Sequence, residues 1–439
     1  MIDATETLAP RAPDVERRTH PLASPHHGPA EVALLIQGND NYGVGRVARE
    51  IVSLVPGIRC VSFSPGQEYE DIAATGTPVH LLPGGDYFRG FAPRSGWSAA
   101  SWQLVRAWPH WRRCARALHD WCETNGVRVL HGNVWAHYFT LGALRRAHPG
   151  RYRTIWHTHN FLNLSRNLGL RSRFNCWQVR RGADWVLCVS RAVAAGWGRS
   201  GVATRVIHNS VASRYQSLSP AGSFAARRRD RPLRLVGAGR MEWWKGHHVS
   251  VEALARLRDA GLSVTLDIFG GPLSGNDYHL GLRRRVAELH LEPAVTFHDY
   301  AGDFVERLSE YDLALQSRID PEPCGLYVLE AMNRGLPIVA SAGGGTPELV
   351  RDDREGCLYP PGDAQALARC VERLARDPAH AARLADAARA RVRQEFSPQR
   401  FAENLRTFYA DVLAAAPEKT RRTTESRPME DAWDGLSAS

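Results

Sequence analysis

The chain reads as α/β: two tandem Rossmann-like, doubly wound domains, each a parallel sheet with helices on both faces, facing a common cleft. Three features point to this. Short apolar runs of strand length alternate with longer amphipathic runs from about residue 31 to residue 395, the signature of parallel strands joined by crossover helices. One segment rich in Ser, Pro, Gly and Arg, SLSPAGSFAARRRDRP at 217–232, breaks the alternation and reads as a linker. Finally, 439 residues at 44% hydrophobic composition exceed the roughly 250–300 residues that one core organises.

The elements follow in order. EVALLIQ reads as a strand and VGRVAREIVSLV as its helix; RVLHGNV is followed by AHYFTLGALRRAH; RTIWHTHN is a strand; ADWVLCVS leads into RAVAAGWG; and TRVIHNSV closes the first domain, 31–216. Beyond the linker the alternation restarts with LRLVGAGR and VSVEALARLRDAG and runs through SVTLDIFGG, AVTFHD, DLALQS, LYVLEAMNRG and PIVASAGG, giving a second domain at 233–395. A last amphipathic stretch, within 396–416, could return to the first domain. Residues 1–30 and 417–439 are polar and expected to be disordered tails. In such folds ligands bind at the carboxyl ends of the strands.

The charge of +10 and pI near 9.4 point to an anionic partner. Lys occurs only at 245 and 419, so an interior Lys stands out among many Arg. The eight cysteines contain no C-x-x-C pair and read as reduced, mostly buried thiols. No apolar run approaches the ~18 residues of a spanning helix and no h-region opens the chain, so a cytoplasmic protein is expected.

Four stretches carry chemistry. In NDNYGVGRVAREI, Gly43 and Gly45 let backbone approach a phosphate or sugar at a helix start, although the dinucleotide fingerprint is incomplete. In RTIWHTHNF, His157 and His159 share one face at a strand's carboxyl end; a metal is the weaker use of them, because no further ligand lies at suitable spacing. In VGAGRMEWWKGHHVS, Arg240 and Lys245 can converge on one anion such as a diphosphate. In EPCGLYVLE, Glu322 and Glu330 flank the free amides of Gly325, Leu326 and Tyr327 at a helix start. A phosphate between two polyols fits that order, which is the form of a nucleotide sugar.

EPCGLYVLEAMNRGLPIVASAGGGTPELV resembles the E-x7-E signature of retaining glycosyltransferases of the GT-B fold, family-4 type (glycosyl transferases group 1). VGAGRMEWWKG resembles that family's diphosphate segment, HTHN its first-domain histidine segment, and ADWVLCVS and VIHNSV its strand ends, so the likeness runs from about 32 to 412. The resemblance implies a hexosyltransferase that takes a UDP- or GDP-sugar donor and retains anomeric configuration. Arg240 and Lys245 would neutralise the diphosphate, Glu330 would take the ribose hydroxyls and Glu322 the sugar, while His159, with His157 second, would stand beside the reacting sugar. No cofactor or metal is implied, and no D-x-D stretch offers a Mg²⁺ site. Cys324 and Gln316 depart from the pattern without removing a polar contact.

The acceptor implied is a glycan or lipid-linked glycan of cell-surface polysaccharide or lipopolysaccharide synthesis. The stretch 94–123, with five Trp and five Arg, fits either an interfacial helix on an anionic membrane or a core-packed helix with a solvated Arg face, and Pro109 interrupts it. A catalytically silent scaffold of this fold is the first rival. A nicotinamide oxidoreductase would need a better fingerprint, and specific nucleic-acid binding would need a basic aromatic platform that the dispersed Arg residues do not suggest.

Overall fold

The computed structural model describes residues 30–38, 43–84, 97–162, 170–222, 231–271 and 277–415. The sequence reading of the two tails, of 39–42 and of the linker interior at 223–230 concerns residues outside that set.

The first sheet contains β1 (Val32–Ile36), β2 (Arg59–Ser62), β3 (Val79–Leu81), β4 (Val129–Gly132), β5 (Arg153–Thr158), β6 (Trp185–Cys188) and β7 (Ala203–Val206) in the order 3-2-1-4-5-6-7. All its pairings are parallel. Its helices are α1 (Gly43–Leu54), α2 (Gln67–Ala74), α3 (Trp97–Asn125), α4 (Trp135–Ala147), α5 (Leu170–Gly182) and α6 (Arg191–Trp197), followed by a short turn of helix, α7 (Ser213–Gln216).

The second sheet repeats the plan with β8 (Leu233–Ala238), β9 (Val264–Phe269), β10 (Val295–His298), β11 (Leu313–Gln316), β12 (Ile338–Ser341) and β13 (Cys357–Tyr359), in the order 10-9-8-11-12-13 and again parallel throughout. Its helices are α8 (His247–Asp259), α9 (Tyr278–Glu288), α10 (Phe304–Arg307), α11 (Leu326–Asn333), α12 (Thr346–Leu349), α13 (Ala364–Arg376) and α14 (Pro378–Glu395), and α15 (Pro398–Ala414) ends the described chain. In both sheets strand order reverses beside the first strand, between β1 and β4 and between β8 and β11. Those reversals are the switch points where parallel sheets bind ligands.

Strand alternation sorts the core. Val32, Leu34 and Ile36 face α1 and α15, whereas Ala33 and Leu35 face the layer of α3 and α4. α15 therefore belongs to the first sheet's packing although it follows the second sheet in sequence. Phe401, Leu405, Phe408 and Val412 are buried in it, Arg406 donates to Leu54 O at 2.7 Å, and Tyr409 OH lies 2.7 Å from His131 Nδ1.

Two expectations need correction. Cys357 and Cys370 form a disulfide, Cα atoms 6.1 Å apart, because β13 and α13 pack side by side across a thirteen-residue separation that shows no pattern in sequence; the other six cysteines are free and buried. Pro109 does not interrupt its helix: α3 runs through it, and Ala107, Trp111, Cys114 and Leu118 bury its inner face. One lost hydrogen bond is outweighed by that burial. Among the described residues no helix is long and apolar enough to cross a membrane.

Phe408 is fully buried under the first sheet. Phe408→Ala is expected to cost about 3–5 kcal/mol in urea unfolding; a loss below ~1 kcal/mol would show that α15 is a loosely attached strap.

Candidate active site

The site begins where β8, β11 and β12 end. Gly246 precedes α8 in the left-handed region at φ 71°, and a Cβ there would lie 1.8 Å from Ser317 O, so only Gly lets the segment 239–246 lie against the loop after β11. Ser317 Oγ donates to Lys245 O at 3.3 Å and Ile319 N to Trp244 O at 3.0 Å, fixing the two loops.

This brings Lys245 Nζ to 3.8 Å from Glu322 Oε2, on which Arg318 Nη1 also bears at 3.1 Å, while Arg240 pairs with Glu242 at 3.1 Å. Burial lowers the Lys245 pKa, with Glu322 opposing and Arg318 and Arg240 adding to the depression. Burial raises Glu242 against those same cations. Three cations with two carboxylates leave the cluster net positive, suited to an anion.

Glu322 is seated by the glycines after β12. Gly345 N donates to Glu322 O at 2.6 Å, and Glu322 and Gly344 form a parallel bridge. α11 starts at Leu326 with Gly325 as its cap, one residue from the expected start, and Tyr327 OH donates to Val236 O at 2.7 Å, which aims the helix start at the switch point. Gln316 holds β11 to β12, its Oε1 accepting from Ser341 N at 3.0 Å and Oγ at 3.1 Å. Cys324 is buried, and burial pushes its thiol up to about 12.

Glu330 is 2% exposed, and its Oε1 accepts from Arg46 Nη2 on α1, in the other sheet's unit. Gly43, exposed, and Gly45, buried, both lie in the first turn of α1 rather than in a loop, and Gly43 faces the Leu326 side chain.

The histidines separate in depth. Their rings are 4.1 Å apart, as same-face parity requires, yet His157 is enclosed beside His131 with neither ring nitrogen hydrogen-bonded. His159, one residue beyond β5, is half-buried, and its Nε2 donates to Asn133 Oδ1 at 2.9 Å. That assignment leaves Nδ1 as the acceptor. Burial lowers both pKa values, so both rings are neutral near pH 7.

Four participants were not found from sequence: Arg46, Asn133, Arg318 and Glu348. Glu348 on α12 accepts from Arg191 N at 2.9 Å and Ala192 N at 2.8 Å, at the start of α6, and His208 Nε2 lies 2.8 Å away. It thus joins the two sheets' units. Burial alone would raise this carboxyl, but the His208 contact and the two amides hold it below its ordinary value.

A cavity of about 300 Å³ opens at the end of β10 against α9, lined by Met241, Arg283, Phe297, His298 and Asp299 among others. Among the described residues no group of three or more His, Cys, Asp or Glu side chains could hold a metal ion.

Against known families, residues 223–391 match the model described as glycosyl transferases group 1, and residues 57–214 match glycosyltransferase family 4. The chain belongs to the group 1 glycosyltransferases. It is 32% identical over 266 residues to glycogen synthase of Mycobacterium tuberculosis, spanning 58% of this chain and 59% of that protein. It is 33% identical over 173 residues to the amylovoran biosynthesis glycosyltransferase AmsK of Erwinia amylovora, 38% of this chain and 42% of that one. The matches thus span about half the length of these relatives. Anabaena HepE, solved with UDP and glucose, shares the fold at TM-score 0.71 and 22% identity, covering 87% of this glycosyltransferase chain and 99% of its own. The fold is GT-B, with two Rossmann-like domains.

His157 takes up a proton in the folded protein only well below 6.5, its ordinary value, because burial disfavours the charged ring. Its stability contribution is complete above about pH 6.5 and is lost as pH falls, by about 1.4 kcal/mol per pH unit. Because the unfolded ring is only half protonated at pH 6.5, His157→Gln should remove about 1 kcal/mol from the change in unfolding free energy between pH 6.5 and 5.5; an unchanged slope would mean that the ring is not buried neutral.

Proposed function

We propose that the protein transfers a hexose from a UDP- or GDP-sugar to a glycan or lipid-linked acceptor, with retention of configuration. The observation that carries the reading is the net-positive cluster of Lys245, Arg240 and Arg318 beside the start of α11, with Glu322 seated against it and Glu330 one helical stretch away. Lys245, Arg240 and the amides of Gly325, Leu326 and Tyr327 take the diphosphate. Glu330 takes the ribose and Glu322 the sugar hydroxyls.

In this reading departure of the nucleoside diphosphate concentrates negative charge beside these cations and amides, so they favour the transition state over the bound donor. In this reading side chains rather than a metal carry that charge. His159, held by Asn133 with Nδ1 able to accept, stands on the first domain's side as the group beside the reacting sugar. The cavity at the end of β10 has Met241, the residue after Arg240, in its lining, a position that suits the nucleobase of the donor.

Similarity to an amylovoran biosynthesis enzyme supports a role in cell-surface polysaccharide or lipopolysaccharide synthesis. A catalytically silent scaffold would share the fold without turnover. Incubated with UDP- and GDP-sugars, the protein should release nucleotide, and Lys245→Ala and Glu322→Ala should each lower turnover about 100-fold or more. Glu322→Ala should also change sugar preference, whereas Glu330→Ala should weaken nucleotide affinity and leave that preference alone. Unchanged turnover in the first two variants would remove the site assignment.

The acceptor side offers a second observation. Trp108 on α3 and Trp177 on α5 are each 41% exposed, with Arg146 4.7 Å over the first ring and Arg181 4.5 Å over the second. Arg112, Arg113 and Arg180 are exposed on the same two helices, and α4 packs between them. Indole paired with guanidinium suits an anionic headgroup layer, so we place the enzyme peripherally at the inner face of the membrane, meeting lipid-linked acceptor there. The protein should sediment with vesicles containing anionic lipid, and Trp108→Ala with Trp177→Ala should release it. Equal sedimentation with neutral vesicles would contradict this.

A further inference from the structure

Arg46 makes a part-buried ion pair across the molecule's two halves, joining α1 to α11 over 284 positions of sequence. Each helix follows the strand at its own sheet's switch point, β1 and β11, so the pair lies where the two ligand-facing edges meet. The Glu330 side chain is 3% exposed and that of Arg46 24%. Burial holds the Arg46 pKa below its ordinary value, with the charges of Arg214 and Arg49 adding to the depression.

Among the described residues Arg46 is the one group that donates to this carboxylate, and it does so on Oε1. A carboxylate offers about four lone-pair positions on its two oxygens, so Oε2 keeps its capacity to accept. A Glu side chain without a partner rotates about its last torsion almost freely. With Oε1 anchored, the second oxygen has one direction.

We propose that Arg46 is the positioning residue for ribose recognition: it stays paired with Glu330 when the donor binds and aims Oε2 at the ribose hydroxyls. The inference rests on the nucleotide-sugar reading and on Glu330 taking the ribose. It adds that ribose selectivity requires a residue of the first domain, so the nucleotide is read by both halves although its phosphates are held by the second.

The test compares UDP and GDP with their 2′,3′-dideoxy forms by calorimetric titration of the full chain. A charge-assisted hydrogen-bond pair to the ribose should make the wild-type protein favour the ribose form by about tenfold or more. In Arg46→Gln that preference should fall to near unity while affinity for the dideoxy form changes little, and Arg46→Lys should restore part of it. Preserved preference in Arg46→Gln, or an equal loss of affinity for both forms, would overturn the inference and leave the nucleotide-sugar reading standing; the second result would mark a direct phosphate contact or a structural role. A wild-type protein that binds neither nucleotide, or binds both forms equally, would overturn the reading of Glu330 and this inference with it.

Discussion

The close approach of backbones at the carboxyl edge of the second sheet is the constraint on which the site depends. A side chain at Gly246 would collide with Ser317 O, and one at Gly344 would lie 2.5 Å from Glu322 O. Both residues are in the left-handed region, where other residues are strained. These contacts lock the loop after β8, the loop after β11 and the loop after β12 into one unit. Lys245 and Glu322 are thereby held with Nζ 3.8 Å from Oε2, the kind of preorganised spacing that the proposed electrostatic role requires.

The halves are joined by charge as well as by apolar packing. Glu330 with Arg46, and Glu348 with the start of α6, are carboxylates of the second half satisfied by groups of the first. Buried pairs of this kind contribute little net stability but penalise any arrangement that separates the partners. They specify which edges face each other. α15 supports the same arrangement from behind, returning from the second half to bury Phe408 and Tyr409 against the first sheet.

Much of this was legible in sequence because periodicity is local. The alternation of runs gave two parallel sheets, and the glycine and carboxylates of EPCGLYVLE gave the start of α11 to within one residue. Strand parity placed His157 and His159 on one face but said nothing of depth, and depth separates an enclosed ring from one that meets Asn133. In the Trp-rich stretch the same limit applied: Trp111 is core and Trp108, three residues away, is surface. What could not be read were partners set by tertiary approach. Arg46 lies 284 positions from Glu330, Arg318 shares a loop with Glu322 whose course spacing does not dictate, and the Cys357–Cys370 bond joins neighbours of a packing that leaves no mark in the sequence.

In the proposed function one anion-binding locus, at the switch point of the second sheet, organises the protein. A structure determined with a nucleoside diphosphate bound measures this directly. The phosphates are expected within hydrogen-bond distance of Lys245, Arg240 and the amides at the start of α11. Phosphates lying instead on the exposed arginine face of α3 and α5, with the Lys245 cluster unchanged, would contradict it.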